Sequence, residues 1–178
     1  MDNPIGVKVV RILIVEDKVD DINALKKHIK NIGLACHVSV ADTFEKFQDV
    51  LSIHNFDIIL SGYSMVGFNG LDVFSHASEV SNSSDFIFVT GAIHDEELAS
   101  QTILSRATAY VLKNNLLSLE PTLQYYIERR IHAYSELQMC ISFNSLLIKI
   151  KKVIEDARRE NQQHINCYRQ MKKMISNG

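Results

Sequence analysis

Four polar side chains with the chemistry of a small ionic site each follow an apolar run in this sequence. Glu16 and Asp17 come directly after the run KVVRILIV, Thr90 follows DFIFV, and Lys113 follows AYVL. Carboxylate oxygens are the ligands that Mg²⁺ prefers, and a lysine beside a hydroxyl can hold an anionic group. These residue types therefore predict a site that holds a hard cation and an anion together.

A further apolar run, at residues 58–60, ends where a reactive side chain would be useful but none is present. Small and turn-forming residues follow it, among them Ser61, Gly62 and Ser64. The run is typical of a strand that helices cover on both faces. Gly62 at its end has no side chain, and nothing in this stretch supplies a base that would activate either serine hydroxyl. This position is therefore expected to be chemically inert.

These residues can meet only if the apolar runs are parallel strands of one sheet. Strands are predicted at 8–15, 34–41, 58–60, 85–89 and 109–112, and the helices between them at 22–32, 44–51, 71–77 and 96–104. Strict alternation of strand and helix implies right-handed crossovers with helices on both faces. The predicted fold is therefore α/β, a doubly wound, flavodoxin-like sheet of five parallel strands in the order 2-1-3-4-5, with the candidate residues at one edge.

Single residues predict where the first two helices begin and end. Asp20 or Asp21 is expected to cap the first helix and Asp42 the second, because short polar side chains accept hydrogen bonds from the unpaired N–H groups of a first turn. Gly33 is expected to close the first helix, because glycine tolerates the left-handed conformation found there.

Residues 121–178 are predicted to form a long helical extension of a domain that covers residues 1–120, whose last helix starts near residue 121. No proline follows Pro121 and the next glycine is Gly178, so helix breakers are absent. Two series recur at helical spacing: Leu123, Ile127, Arg130, Tyr134, Leu137 and Ile141, then Leu147, Ile150, Ile154, Ala157, Asn161, His164, Tyr168, Met171 and Ile175. They are out of phase by one residue near 142–145, so either one helix adjusts its register or Ser145 caps a second helix.

The apolar face of this extension predicts a partner helix. A lone helix of this length has too little to pack against, so a coiled coil with a second copy of the chain is expected. Asn161 and His164 interrupt the apolar series, as polar residues that determine helix pairing do in coiled coils. The alternative is an amphipathic helix that folds back on its own domain.

Charge divides the chain into two parts. Residues 1–120 contain 9 basic and 16 acidic residues, whereas residues 121–178 contain 10 basic and 5 acidic residues, within a net charge of −2. The basic extension makes nucleic-acid binding an alternative function. Its basic residues are spread out with few aromatics between them, and no helix-turn-helix pattern follows the sheet, so a solvated helical face is preferred.

Composition indicates a cytoplasmic globular protein. Apolar residues make up 46% and charged residues 22% of the chain. No run approaches the roughly 18 apolar residues of a membrane helix, and the N-terminus does not have the form of a signal peptide. Cys36, Cys140 and Cys167 are far apart and lack metal-site spacing, which favours reduced thiols.

Together, four motifs resemble the receiver domain of two-component response regulators over roughly residues 8–130. They are ILIVED at 12–17, DIILSGYSMVGFNG at 57–70, IFVTG at 87–91 and AYVLK at 109–113. In that family the acidic pair and an acceptor aspartate hold Mg²⁺, and the aspartate takes a phosphoryl group from a histidine kinase or a small phosphodonor. By resemblance Glu16 and Asp17 are the metal ligands, Thr90 and Lys113 contact the phosphoryl group, and Tyr110 is the switch aromatic.

This chain differs from the family at the acceptor position, where Gly62 replaces the aspartate. The difference determines which function the resemblance implies. No acyl phosphate can form there, and Mg²⁺ binding should be weak, with Glu16, Asp17 and the Ser64 carbonyl as the remaining ligands. Lys113 is then expected to pair with Asp17. The resemblance therefore implies a non-enzymatic signalling module in a phosphorelay, a pseudo-receiver that acts by protein–protein interaction through its helical extension.

Three other readings remain open. In the first, Gly62 is a single substitution in an otherwise working phospho-switch, which the retained Thr90, Tyr110 and Lys113 favour. In the second, the carboxylates belong to a flavodoxin-like or phosphatase-type enzyme, although that enzyme would lack a nucleophile. In the third, His132 or His164 belongs to a phosphotransfer module, although neither has the flanking residues of a phosphorylatable histidine.

Overall fold

The computed structural model describes residues 9–80, 83–91 and 107–176. The strands are β1 (Val10–Val15), β2 (Cys36–Ala41), β3 (Ile58–Gly62), β4 (Ser64–Met65), β5 (Phe68–Asn69), β6 (Asp85–Thr90) and β7 (Ala109–Leu112). The helices are α1 (Val19–Asn31), α2 (Phe44–Ile53), α3 (Gly70–Val80), a 3₁₀ helix (Lys113–Ser118) and α4 (Leu119–Ser176). The helix predicted at 96–104 lies outside the described residues.

Five strands form one parallel sheet in the order β2-β1-β3-β6-β7. This order confirms the predicted doubly wound, flavodoxin-like fold, because β6 and β7 are the fourth and fifth strands of the predicted sheet. The antiparallel pair β4–β5 was not predicted. Its two-residue turn contains Gly67 with a φ of 84°, a conformation that favours glycine and explains the residue there.

Helices cover both faces of the sheet, so the central strands are apolar throughout. Alternate residues of β1 point to opposite sides: Ile12 and Ile14 join one buried cluster, and Leu13 and Val15 join the other. All four are fully buried. A strand with two buried faces reads as a continuous apolar run, and this is why the run was recognisable in the sequence.

The structure corrects two of the predicted helix caps. Helix α1 begins after Lys18, which makes no side-chain cap, and Asp20 and Asp21 lie in its first turn. Helix α2 is capped by Thr43, whose hydroxyl accepts from the N–H of Lys46. Asp42 instead pairs with the Lys46 side chain at 3.0 Å. The observed N-cap lies two or three positions before the predicted residues in α1 and one position after Asp42 in α2, and sequence patterns resolve such boundaries poorly. Gly33 adopts the expected left-handed conformation.

Helix α4 is a single helix from Leu119 to Ser176. It starts two residues earlier than predicted and continues through 142–145, so the predicted alternative of a turn capped by Ser145 is wrong. The chain divides into two compact units, residues 1–132 and 133–178. In the first unit Leu119, Leu123 and Ile127 of this helix are fully buried in the cluster that contains Ile12.

A buried carboxylate of the sheet forms ion pairs with the N-terminal part of α4. Asp85, at the start of β6, is 4% exposed, and its two oxygens accept from Arg129 Nη2 at 2.5 Å and Arg130 Nε at 2.7 Å. Tyr126 adds a bond from its hydroxyl to the Thr108 carbonyl. No helix in the described part of the chain is long and apolar enough to cross a membrane.

Candidate functional site

The carboxyl ends of β1, β3, β6 and β7 bring the candidate residues together. Val15 pairs with Ser61, Gly62 with Val89, and Thr90 with Leu112. Glu16 and Lys113 follow directly on β1 and β7. The parallel register therefore places these chain positions at one edge of the sheet, as predicted from the sequence.

Lys113 binds two carboxylates at this edge. Its Nζ donates to Glu16 Oε2 and to Asp21 Oδ2, each at 2.6 Å. The predicted pairing of Lys113 with Asp17 is therefore wrong. Asp21, which the sequence suggested only as a helix cap, lies in the first turn of α1 and turns its carboxylate to the lysine.

Burial and charge oppose each other in this ion pair. Glu16 is fully buried, and burial raises the pKa of its carboxyl even though Lys113 acts to lower it. Burial alone would lower the pKa of Lys113, but the hydrogen bonds and charges of Asp21 and Glu16 outweigh it and raise the pKa. Lys113 is therefore held as a cation, with its charge already balanced by protein carboxylates.

The Glu16 carboxylate occupies the space beside Gly62. A Cβ at position 62 would lie 2.5 Å from Glu16 Oε2 and 3.3 Å from Glu16 Cδ. Met65 Cγ would lie at 3.4 Å, which is an ordinary contact. The Glu16 carboxylate can thus occupy this position only because residue 62 has no side chain.

Asp17 is held differently from Glu16. Its Oδ2 accepts from the N–H of Val66, in the β4–β5 turn, at 2.8 Å. Its Oδ1 is buried and has no hydrogen-bond partner within the described residues. Burial acts to raise the pKa of Asp17, but the Val66 N–H and smaller interactions outweigh it, and the pKa is lowered. Asp17 is therefore an ionised carboxylate with one unused oxygen.

These donors fit a tightly bound Mg²⁺ ion poorly. Asp17 Oδ1 is suitable, but Glu16 Oε2 is already bound to Lys113 and position 62 supplies no side-chain oxygen. Among the described residues no group of three or more His, Cys, Asp or Glu side chains could hold a metal ion. Since Mg²⁺ is usually held by carboxylates in octahedral geometry, one available carboxylate oxygen supports only weak binding.

A cavity of about 260 Å³ opens next to this ion pair. Its lining consists of Lys18, Tyr63, Ser64, Val89, Thr90, Gly91 and Lys113. Thr90, which is 8% exposed, and Lys113 both line this cavity. Glu16 is not part of the lining. The cavity is therefore lined by a hydroxyl-bearing residue and a lysine, whereas the carboxylate beside position 62 is fully buried.

Tyr110 lies on β7 three residues before Lys113 and is 53% exposed. The sequence thus located Glu16, Asp17, Thr90, Lys113 and the empty position 62 at one edge. It missed the role of Asp21 and the turn that carries the Val66 N–H. Gly67 was a usable signal for that turn, because two-residue hairpin turns need positive φ angles that glycine adopts readily.

Comparison with known proteins identifies the domain. The family model of the response regulator receiver domain matches residues 12–119, which are more than half of the chain. The chain belongs to this family. Receiver domains are signalling modules of two-component systems rather than enzymes, they interact with histidine kinases and other signalling proteins, and they commonly bind Mg²⁺ at their phosphorylation site. A search among curated proteins returned no match.

Solved receiver domains share this fold at low sequence identity. The BeF3-activated DrrB receiver domain is 17% identical with a TM-score of 0.60, and the match covers 68% of this chain and 99% of that one. The response regulator TrrA from Thermotoga maritima, solved with Mg(2+)-BeF, is 22% identical with a TM-score of 0.58, covering 66% and 99%. A CheY-like receiver domain from Methanospirillum hungatei is 21% identical with a TM-score of 0.57, covering 69% and 99%.

Proposed function

We propose that this receiver domain is a pseudo-receiver, a signalling module that accepts no phosphoryl group at the usual position and acts by binding other proteins. The observation that carries the proposal is the position of Glu16. Its buried carboxylate fills the space that a side chain at position 62 would need. The site thus lacks the acceptor carboxylate, and in addition the Glu16 carboxylate occupies the space where an acceptor side chain would lie.

The charge balance at Lys113 supports the same function. A phosphoryl group would need the lysine as its partner, but Glu16 and Asp21 both hold Nζ at 2.6 Å. Glu16 is a poor replacement acceptor, because it is fully buried and absent from the cavity wall. We therefore expect the module to stay in one charge state whether or not a phosphodonor is present.

Weak Mg²⁺ binding through Asp17 Oδ1 is the corresponding cofactor proposal. The TrrA structure is described with Mg(2+)-BeF, and the equivalent complex here would lack an acceptor carboxylate. Phosphate analogues that need both the metal and that carboxylate should therefore not bind. The partners we propose are a histidine kinase or another signalling protein for the receiver unit and a second copy of the chain for the helical unit.

The test is incubation with acetyl phosphate and Mg²⁺ followed by intact-mass analysis. A receiver domain that retains its acceptor aspartate, treated in parallel, shows that the reagent works. We expect no phosphoryl adduct on this chain. An adduct in appreciable yield would contradict the proposal, and peptide mapping would then report whether Glu16, Ser61 or Ser64 carries it.

A second candidate function is a working phospho-switch that has only lost its acceptor. The cavity favours it, because Thr90 and Lys113 both line it. Gly62→Asp separates the two functions. Under the second candidate this variant takes a phosphoryl group from acetyl phosphate and changes its state of assembly. Under the pseudo-receiver proposal it remains unmodified, because Glu16 must first leave the site.

A further inference from the structure

The helical unit (Ala133–Gly178) presents a long face that none of its described residues covers. Every residue from 135 to 174 is exposed. Among these side chains are large apolar ones, for example Ile150 at 46% and Ile154 at 47% exposure. An isolated helix derives little stability from propensity alone, so a helix of this kind normally packs on a partner.

We propose that residues 147–171 pair with the same segment of a second copy, parallel and in register, as a two-stranded coiled coil. This inference rests on the homodimer proposed above and adds its orientation and alignment. The segment is the second apolar series of the sequence. In heptad notation its a positions are Leu147, Ile154, Asn161 and Tyr168, and its d positions are Ile150, Ala157, His164 and Met171.

The charged residues beside this seam favour the parallel orientation. The e positions are basic in three heptads: Lys151, Arg158 and Lys172. An antiparallel dimer would place e positions against e positions and bring like charges together. A parallel dimer places each e position against a g position of the second copy, and these are mostly apolar: Leu146, Val153, Cys167 and Met174, with Glu160 as the exception. Lysine and arginine stems can cover such side chains while their charged groups remain in water.

Asn161 determines the alignment. It is the one asparagine at an a position of this segment. In a parallel, in-register pair Asn161 meets Asn161 of the second copy, and each amide can donate to and accept from the other. A shift by one heptad would bury the amide against Ile154 or Tyr168 and leave it without a partner. The polar residue therefore selects one alignment of the two helices.

Disulfide trapping in the full chain tests this arrangement. The background carries Cys140→Ser and Cys167→Ser, which remove the two exposed thiols and leave the partly buried Cys36. Leu147→Cys and Tyr168→Cys, made separately, place a thiol at two distant a positions. The matched control is Lys152→Cys, at an f position on the opposite side of the helix.

Both a-position variants should form disulfide-linked dimers under mild oxidation, and the control should form far fewer, because a disulfide requires Cα atoms within about 7 Å. In an antiparallel dimer, residues 147 and 168 cannot both lie opposite themselves. Antiparallel helices place a positions opposite d positions, so an equimolar mixture of Leu147→Cys and Met171→Cys would then give the mixed dimer preferentially. That result would overturn the inference.

Light scattering of the unmodified chain distinguishes a wrong helix orientation from the absence of a homodimer. A monomer at tens of micromolar would refute the homodimer and with it the orientation. A dimer that cross-links at neither position would refute only the parallel alignment. Asn161→Leu adds an independent readout, because loss of the polar layer should relax the oligomeric state and produce species larger than dimers.

Discussion

Adding a single methyl group at position 62 tests the packing on which the proposed function rests. In Gly62→Ala the new Cβ would lie 2.5 Å from Glu16 Oε2, about 1 Å inside an ordinary contact. The Glu16 carboxylate must move, yet it is fully buried and bound to Lys113 at 2.6 Å. Overpacking of this kind costs about 1–3 kcal/mol, and we expect the free energy of unfolding to fall by that amount.

The chain offers a matched control in Gly91→Ala. A Cβ at Gly91 meets no described residue within 4 Å, so this variant makes the same chemical change without the contact to Glu16. Urea denaturation of both variants, followed by circular dichroism, measures the difference. For a chain of this size each kcal/mol corresponds to about 2–4 °C in Tm, so thermal melts provide a second estimate.

A double variant shows whether Glu16 is the cause. Glu16→Asp shortens the side chain by one methylene and withdraws the carboxylate from position 62. In the Glu16→Asp background, Gly62→Ala should therefore cost less than it does alone, and the non-additivity measures the contact. If Gly62→Ala is as stable as Gly91→Ala, the Glu16 carboxylate does not occupy this space, and the argument for a closed site is refuted.

Two further variants probe the buried charges. Lys113→Met should destabilise the chain by about 3–5 kcal/mol by leaving Glu16 buried without its cation, and Glu16→Gln in the same background should recover part of this loss. Burial raises the pKa of Glu16 above its ordinary 4.5, and Lys113 opposes that rise. In Lys113→Met the folded form should therefore bind more protons than the unfolded form, and the free energy of unfolding should fall as the pH increases above about 4.5. A flat pH profile would contradict this. Asp85→Asn should cost about 2 kcal/mol, less than a fully buried pair because Arg129 is half exposed, and Arg129→Gln, which leaves Arg130 bound to Asp85, should cost less.

The fold could be predicted because its signals are local. The buried run of β1 and the alternation of strands with helices were enough to give the sheet order. Thr43 could not be distinguished from Asp42 as a cap, because both are good capping residues and only the backbone conformation at the helix start decides between them. The continuity of α4 through 142–145 was open for a similar reason, since a one-residue change of phase is compatible with a helix or a turn.

The sequence by itself determined which chemical groups lie at the edge of the sheet and that position 62 has no side chain, because strand order and register follow from local patterns. Only the tertiary structure decided that Lys113 binds Glu16 and Asp21 and not Asp17, and that the Glu16 carboxylate fills the space at Gly62. Side-chain direction, burial and the competition among three carboxylates for one ammonium group depend on how strands and helices pack in space. Spacing along the chain contains none of that information.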